Sequence, residues 1–325
     1  MSKFKVLMTD TIFPDMSIEE EELSKIGAEL RLSDSDDPEA LLSEGKESDA
    51  LLVNFAHVGA DVINRLEKCK IISNAAIGVN NIDVDAATRK GIMVANVPDY
   101  CTEEVADHTV ALFLSGIRKI VHLSERVKEG FWEIEDAKPI PRLRGKIYGL
   151  FGCGAIGRTV ARRVSAFGME VVGYDPYAPD EVLDEAKIRR IDNFEDFFSM
   201  VDAVSLHVPL TEDTCHIIDR KILEKMKPSA FMVNASRGAL INEKDLYEAL
   251  KGGTIAGAAM DVLENEPPKE VPPLAKLPNV TVTPHVAFYS EESAIDLRQK
   301  AAREIVRALT EGTPLNWVNR KQMAK

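Results

Sequence analysis

Four ionisable side chains in the second half of the chain follow closely on short apolar runs. FMVNAS leads to Arg237 and Gly238, AGAAMDV leads to Glu264 and Glu266 ahead of Pro267 and Pro268, and VTVTP leads directly to His285. In an open parallel sheet such positions lie beyond the carboxyl ends of the strands, where ligands bind. The set suits a redox step at a carbon bearing oxygen. When such a carbon gains or loses hydride its oxygen must exchange a proton, and imidazole is the side chain whose ordinary pKa allows this near neutrality. A carboxylate beside it would favour the imidazolium and orient the ring, and on chemistry alone Glu264 and Glu266 serve equally. Arg237 offers a planar, permanently charged fork for a carboxylate or a keto oxygen. Taken singly, each has a plain structural reading, as a surface ion pair, a solvated loop acid or a capped turn. Their shared position after strands favours catalysis. Of the other histidines, His57 is a candidate border of a substrate, while His108, His122, His207 and His216 read as structural.

A carrier for the hydride has its own signature. The apolar run KIYGLF enters Gly152-Cys153-Gly154-Ala155-Ile156-Gly157, and the helix-like RTVARRVSAFG follows. Three glycines at this spacing also occur in purely structural turns, but here the strand before and the helix after are both present. The first glycine permits the tight turn, the second lets backbone approach a pyrophosphate, the third allows close strand–helix packing, and the helix N-terminus favours the anion. The next run, EVVGY, ends at Asp175, 18 residues beyond Gly157, where a carboxylate can accept from both ribose hydroxyls. A 2′-phosphate would meet it as a like charge, with no cation supplied by Pro176 or Tyr177. NAD is the expected cofactor.

The elements that must position these residues follow from the hydrophobic pattern. From residue 4, apolar runs (FKVLMTD, AELRLS, DALLVNF, KIISNAAI, IMVANV) alternate with charged helical stretches, the mark of a parallel sheet covered by helices. Residues 101–130 read as one long helix connecting two such units, with Val105, Val110, Phe113, Leu114, Ile117 and Val121 at helical spacing. After a proline-containing loop the alternation restarts at KIYGLFG and runs to NVTVTPH; YSEESAIDLRQKAAREIVRALTEG then reads as a long amphipathic helix ending at Gly312. The 325 residues suit two domains, and 40 Lys and Arg against 53 Asp and Glu give a net charge of −13, which disfavours nucleic-acid phosphates and anionic membranes as partners. Four scattered cysteines, without metal-ligand spacing, suit a reducing compartment and no metal, and the chain shows no signal-peptide or membrane-spanning run. A soluble, cytoplasmic protein is expected.

The linked set GCGAIG, YDPY, LHVPLT, NASRG, DVLENEPP and TPH resembles the D-isomer-specific 2-hydroxy acid dehydrogenase family over essentially the whole chain. The resemblance implies a flavodoxin-like substrate-binding domain made from both chain ends, 1–100 and 289–325, and an inserted Rossmann domain, 101–288, with the active site in the intervening cleft. It implies that Arg237 binds the substrate carboxylate, that Glu266 rather than Glu264 partners the histidine, and that His285 is the acid/base. It assigns Asp261 to the nicotinamide amide and Thr109, Val208, Pro209 and Ala235 to the lining of the cofactor. The loop Ala76-Ile77-Gly78-Val79-Asn80 resembles the family loop whose backbone N–H groups grip the substrate carboxylate, with Ala76 where glycine is common. It also implies a homodimer through the Rossmann domain, with helix 102–122 and the Trp132 region as candidates.

Two departures bear on substrate. Phe288 stands where many members carry a small residue, and TPHVAFYSEES is similar to the C-terminal-binding proteins, NAD(H)-responsive corepressors. The ring either shapes the pocket towards an apolar 2-keto acid or belongs to a core or interface. At Asn54, in VNFAH, the arginine-containing sequence of phosphoglycerate dehydrogenases is absent, which lowers that reading. The expectation is an NAD-dependent enzyme interconverting a small anionic 2-hydroxy acid and its 2-keto acid. D-3-phosphoglycerate dehydrogenase and a corepressor-type NAD(H)-sensing protein are the alternatives.

Overall fold

The computed structural model describes residues 3–323. The chain divides into two compact units, one of residues up to Tyr100 together with those from Ser290, the other Cys101–Tyr289.

In the first unit five strands, β1 (Phe4–Met8), β2 (Ala28–Leu32), β3 (Ala50–Val53), β4 (Ile71–Asn74) and β5 (Met93–Ala95), form a wholly parallel sheet of order β2-β1-β3-β4-β5. This is the flavodoxin-like order. The strands read as unbroken apolar runs because both faces are covered: Val6, Met8, Leu52 and Ile71 join one apolar layer, and Leu7, Leu51, Val53 and Ile72 the other. Helix Glu291–Glu311 supplies the first layer with Leu297, Ala301, Ala302, Ile305 and Ala308. It opens on a capping box at Ser290 and ends at Gly312 in the left-handed region, φ 76°. Arg298 fixes its register by donating from Nε and Nη2 to both oxygens of Glu19 at 2.7 Å.

In the second unit β6 (Ile147–Phe151), β7 (Glu170–Tyr174), β8 (Arg189–Arg190), β9 (Ala203–Leu206), β10 (Phe231–Asn234), β11 (Gly257–Met260) and β12 (Val280–Val282) form a parallel sheet of order β12-β11-β10-β9-β6-β7-β8. Starting from β6 this is the dinucleotide-binding order, with its reversal between β6 and β9. Phe151, Leu206, Met232 and Met260 pack on one face, Tyr148, Leu150, Val233 and Ala259 on the other. The two-residue β8, charged and short, left no apolar run to find.

The expected single helix over 101–130 is corrected: Thr102–Ile117 and Ile120–Lys128 are separate, broken at Lys119, φ 56°. The first half is buried against the sheet, and a Cβ at Gly116 would come within 2.0 Å of the Phe231 ring. The second half buries no residue. The helical pattern continues through the break because each half is amphipathic on its own, one face for the core and one for the surface.

Candidate active site

The glycine turn leaves β6 as its sequence requires. Gly152 has φ 97°, and a Cβ there would stand 2.8 Å from the His207 carbonyl; a Cβ at Gly157 would stand 2.4 Å from the Gly152 oxygen. In front of Gly154, by contrast, the space is open, with nothing within 4 Å of where a Cβ would stand. Gly154 is the N-cap of helix Ala155–Ser165, whose first turn carries no acidic residue. Open space before free helical N–H groups suits a pyrophosphate. Ala155 is exposed and Ile156 half-buried beside it. Val208 is half-buried, Pro209 exposed and Ala235 half-buried, at the ends of β9 and β10 in the same sheet.

Asp175, at the end of β7, ties the turn to the next loop: Oδ2 accepts from Cys153 N–H at 2.8 Å, and Oδ1 from the N–H groups of Tyr177 and Ala178 at 2.9 and 3.1 Å. The sequence suggested no cation nearby, and here the structure corrects it. Arg190, on β8, donates from Nη1 to the Asp175 carbonyl at 2.7 Å, from Nη2 to the Ala178 carbonyl and from Nε to Asp180 at 2.7 Å. Its fork serves the loop backbone and Asp180, so the Asp175 carboxylate remains the anionic feature of this site.

The catalytic candidates meet at the same carboxyl edge. His285 has φ 53°, left-handed and costly for a residue with a Cβ. Its Nδ1 donates to Glu266 Oε2 at 2.6 Å, while Glu266 Oε1 accepts the Leu263 N–H at 2.6 Å. Both carboxylate oxygens are therefore fixed, and with the proton on Nδ1 the ring has Nε2 on its opposite side, not engaged by Glu266. Glu264 is engaged elsewhere, with His216 Nε2 at 2.6 Å and the Glu243 N–H at 3.1 Å. Geometry thus separates the two glutamates that chemistry alone left equal. Arg237 is half-buried, one turn beyond β10, with Nη1 donating to the Ser236 carbonyl at 2.7 Å. Next to it Gly238 is required by packing, since a Cβ would come within 2.0 Å of the Leu263 carbonyl group. The Phe288 ring stands edge-on to His285, centroids 6.4 Å apart, so it borders the candidate acid/base residue.

Two expected cofactor residues are enclosed. Thr109 is fully buried and its hydroxyl donates to the Val105 carbonyl at 2.7 Å, so it has no proton left to donate to a cofactor. Asp261 is also buried. Its Oδ1 accepts from Thr283 Oγ1 at 2.5 Å and the Val286 N–H at 3.0 Å, and its Oδ2 accepts the Ala287 N–H at 2.8 Å. These bonds, with His108 beside it, hold its carboxyl below the usual carboxylate range despite burial. Its side chain is fully enclosed by these donors, with no exposed surface.

The first unit carries a candidate anion site of another kind. The carbonyls of Ala76, Ile77 and Gly78 each accept a bond from within the unit, from Val97 N–H at 2.9 Å, Asn96 Nδ2 at 2.6 Å and Asn74 Nδ2 at 2.6 Å. A trans peptide places its N–H opposite its carbonyl. The N–H groups of Ile77, Gly78 and Val79 therefore point the other way, and among the described residues they find no acceptor. Three successive N–H groups without an acceptor make this loop a candidate anion nest. Ala76 does not have a positive φ, so a methyl is accommodated where glycine is common. Asn54, at the end of β3, is 7% exposed, and its Nδ2 has no partner.

A glycine turn with a carboxylate on the following strand, in a sheet of this order, defines a two-unit α/β protein with a dinucleotide-binding unit. Residues 110–287 match the family model described as D-isomer specific 2-hydroxyacid dehydrogenase, NAD binding domain. The chain belongs to that family, and its second unit is an NAD-binding domain. It is 43% identical over 303 residues to a D-3-phosphoglycerate dehydrogenase of Methanocaldococcus jannaschii, covering 93% of this chain but 56% of that protein. It is 36% identical to a glyoxylate reductase of Korarchaeum cryptofilum, covering 97% of each. The crystal structure of a glyoxylate reductase from Paecilomyes thermophila superposes with a TM-score of 0.89 at 29% identity, covering 99% of this chain and 100% of that one. The chain thus spans little more than half the length of the phosphoglycerate dehydrogenases it matches. No described helix is long and apolar enough to cross a membrane.

Proposed function

We propose that the protein is an NAD-dependent D-2-hydroxy acid dehydrogenase acting on a small anionic 2-hydroxy or 2-keto acid. The observation that carries this reading is the His285–Glu266 pair on the same sheet edge as the open glycine turn. Bound NADH supplies the hydride for reduction. Arg237 holds the substrate carboxylate and Phe288 borders its remaining substituent; in the first unit the N–H groups of Ile77 and Gly78 and the amide of Asn54 are the groups suited to an anionic ligand. His285 delivers its Nε2 proton to the keto oxygen as charge develops there, and Glu266, accepting from Nδ1, keeps the ring in register.

We also assign the protein to the cytoplasm, as a homodimer formed through the second unit. Trp132 and Ile134 are 86% and 73% exposed, and Ile120, Val121, Val127 and Phe131 are exposed around them, more apolar surface than a solvated helix face needs. The phosphoglycerate reading gains support from the Methanocaldococcus relative, and loses it from Val53-Asn54-Phe55, which brings no cation for a phosphate.

The test is NADH oxidation by the purified chain against pyruvate, glyoxylate, hydroxypyruvate, longer 2-keto acids and 3-phosphohydroxypyruvate. Turnover of one or more of the unphosphorylated acids is expected. Preference for 3-phosphohydroxypyruvate would favour the phosphoglycerate reading. Tight NADH binding without any turnover would overturn the enzyme reading in favour of an NAD(H)-sensing binding protein.

A further inference from the structure

His285 is held in a left-handed backbone conformation that is costly for a residue with a Cβ, so something must over-determine its turn. That something is a chain of hydrogen bonds around Asp261. The Asp261 carbonyl accepts the His285 N–H at 2.8 Å, and its carboxylate accepts the N–H groups of Val286 and Ala287, so one residue at the end of β11 holds three successive N–H groups of the turn. The carboxylate is held in turn by Thr283, whose hydroxyl donates to Oδ1 at 2.5 Å. With that proton directed at Asp261, the Thr283 oxygen accepts from outside, and the group within reach is His108 Nε2, at 3.1 Å. His108 Nε2 also lies 3.5 Å from Asp261 Oδ1.

We propose that His108, on helix Thr102–Ile117, is a positioning residue for the acid/base turn: it donates from Nε2 to Thr283, fixes the Thr283 hydroxyl on Asp261, and thereby sets where His285 stands. This rests on the reading of His285 as acid/base. His108 contacts none of the reacting groups; it orders the residue that orders His285. The bond also links that helix to the end of β12, joining elements far apart in sequence. Burial of Asp261 gives the arrangement its leverage, since a carboxylate deprived of a donor there has no water to replace it.

The experiment compares His108→Leu, His108→Gln, Thr283→Val and the His108→Leu/Thr283→Val double variant, using the 2-keto acid that the parent turns over fastest. His108→Leu is expected to lower kcat about ten- to a hundred-fold, the scale of a small misplacement of a reacting group, with substrate KM and the NADH Kd nearly unchanged. His108→Gln, whose amide can donate from a similar position, should recover most of the loss. Because His108 and Thr283 act through one chain of bonds, the double variant should lose no more than the worse single one. Unchanged kcat in His108→Leu, a loss confined to KM or Kd, or a Gln variant as impaired as Leu would each overturn the proposal. If His108→Leu does not fold, Thr283→Val breaks the same bond from the other side and is held to the same outcomes. His285→Ala separates the two readings: full turnover in that variant overturns the acid/base assignment, whereas an inactive His285→Ala beside a fully active His108→Leu overturns the positioning role alone.

Discussion

At the carboxyl edge of the first unit's sheet, the groups offered to an anion are backbone N–H groups of residues 77–79, aimed by bonds to the carbonyls behind them. At the carboxyl edge of the second unit's sheet the groups proposed to react are side chains: Arg237, Glu266 and His285, each one loop beyond a strand. The first arrangement offers a negative charge no ionisable residue at the contact, so it would not titrate and would tolerate change in side-chain identity. The second can move a proton, and its chemistry depends on particular atoms. One edge is suited to grip, the other to react.

If that division holds, deleting a side chain should hurt most where chemistry depends on it. His285→Ala is expected to lower kcat by about a thousand-fold, the range in which a positioned general acid contributes, with NADH binding retained. Single-turnover and steady-state rates measure it. A loss of less than ten-fold would mean that water protonates the keto oxygen and that the two edges differ less than their residues suggest.

The difference also decides what was legible before the structure. Arg237, His285 and the pair Glu264 and Glu266 could be picked out because ionisable residues after apolar runs are visible as letters, the choice of Glu266 coming from the family resemblance, and the parallel order of β10, β11 and β12 brings them to one edge. The glycine turn was visible for a related reason, since Gly152 and Gly157 occupy positions that a Cβ would block. The nest at 77–79 has no letters of its own. Only the family resemblance pointed to it, and the amides that aim it, Asn74 and Asn96, look like ordinary loop polar residues. The bonds of Arg190 and of His108 were not legible because their partners lie 10–15 and 175 residues away, distances over which a single sequence carries no pairing signal. The break at Lys119 was missed because helical periodicity reports a face and not the end of the core it faces.

The second unit also has a backbone site, the glycine turn, and it rests on a side chain. The His207 imidazole packs beneath it, with a Cβ at Gly157 reaching within 3.5 Å of its Cδ2, and its Nε2 lies 2.7 Å from Ser205 Oγ. Desolvation pushes His207 down to about 4 from its ordinary 6.5. Between these values the unfolded chain binds a proton that the folded chain refuses, so stability falls as pH drops from about 6.5 to about 4 and levels off below. The cost from this group is on the order of 1–3 kcal/mol. Denaturant titrations at pH 7 and pH 4.5 should show it, and His207→Gln should remove that part of the pH dependence. An unaltered pH dependence in the variant would mean the turn does not rest on a neutral ring.

Asp175 tests the same unit's preference for a cofactor without a 2′-phosphate. Asp175→Ser removes the like charge and leaves a hydroxyl, so the ratio of NADPH to NADH affinity should rise about ten-fold or more, since one ribose-facing charge interaction is worth about 1.4 kcal/mol or more. Fluorescence titration with both cofactors measures the ratio. No change would place the discrimination elsewhere, and Arg190 would be the first residue to examine.

The smallest effect is expected where grip comes from backbone. Asn96→Leu removes the donor that holds the Ile77 carbonyl, but the Ala76 and Gly78 carbonyls keep theirs, from Val97 and Asn74. One peptide of three is then free to rotate, and its N–H loses orientation rather than existence. Losing one aimed donor of several is worth about 0.5–1.5 kcal/mol, so KM for the 2-keto acid should rise by roughly three- to ten-fold while kcat changes little. The contrast with His285→Ala is the point of the measurement: a defect in KM at one edge and in kcat at the other. If Asn96→Leu instead lowered kcat and left KM alone, the nest would be acting in the transition state, and the division between a gripping edge and a reacting edge would fail.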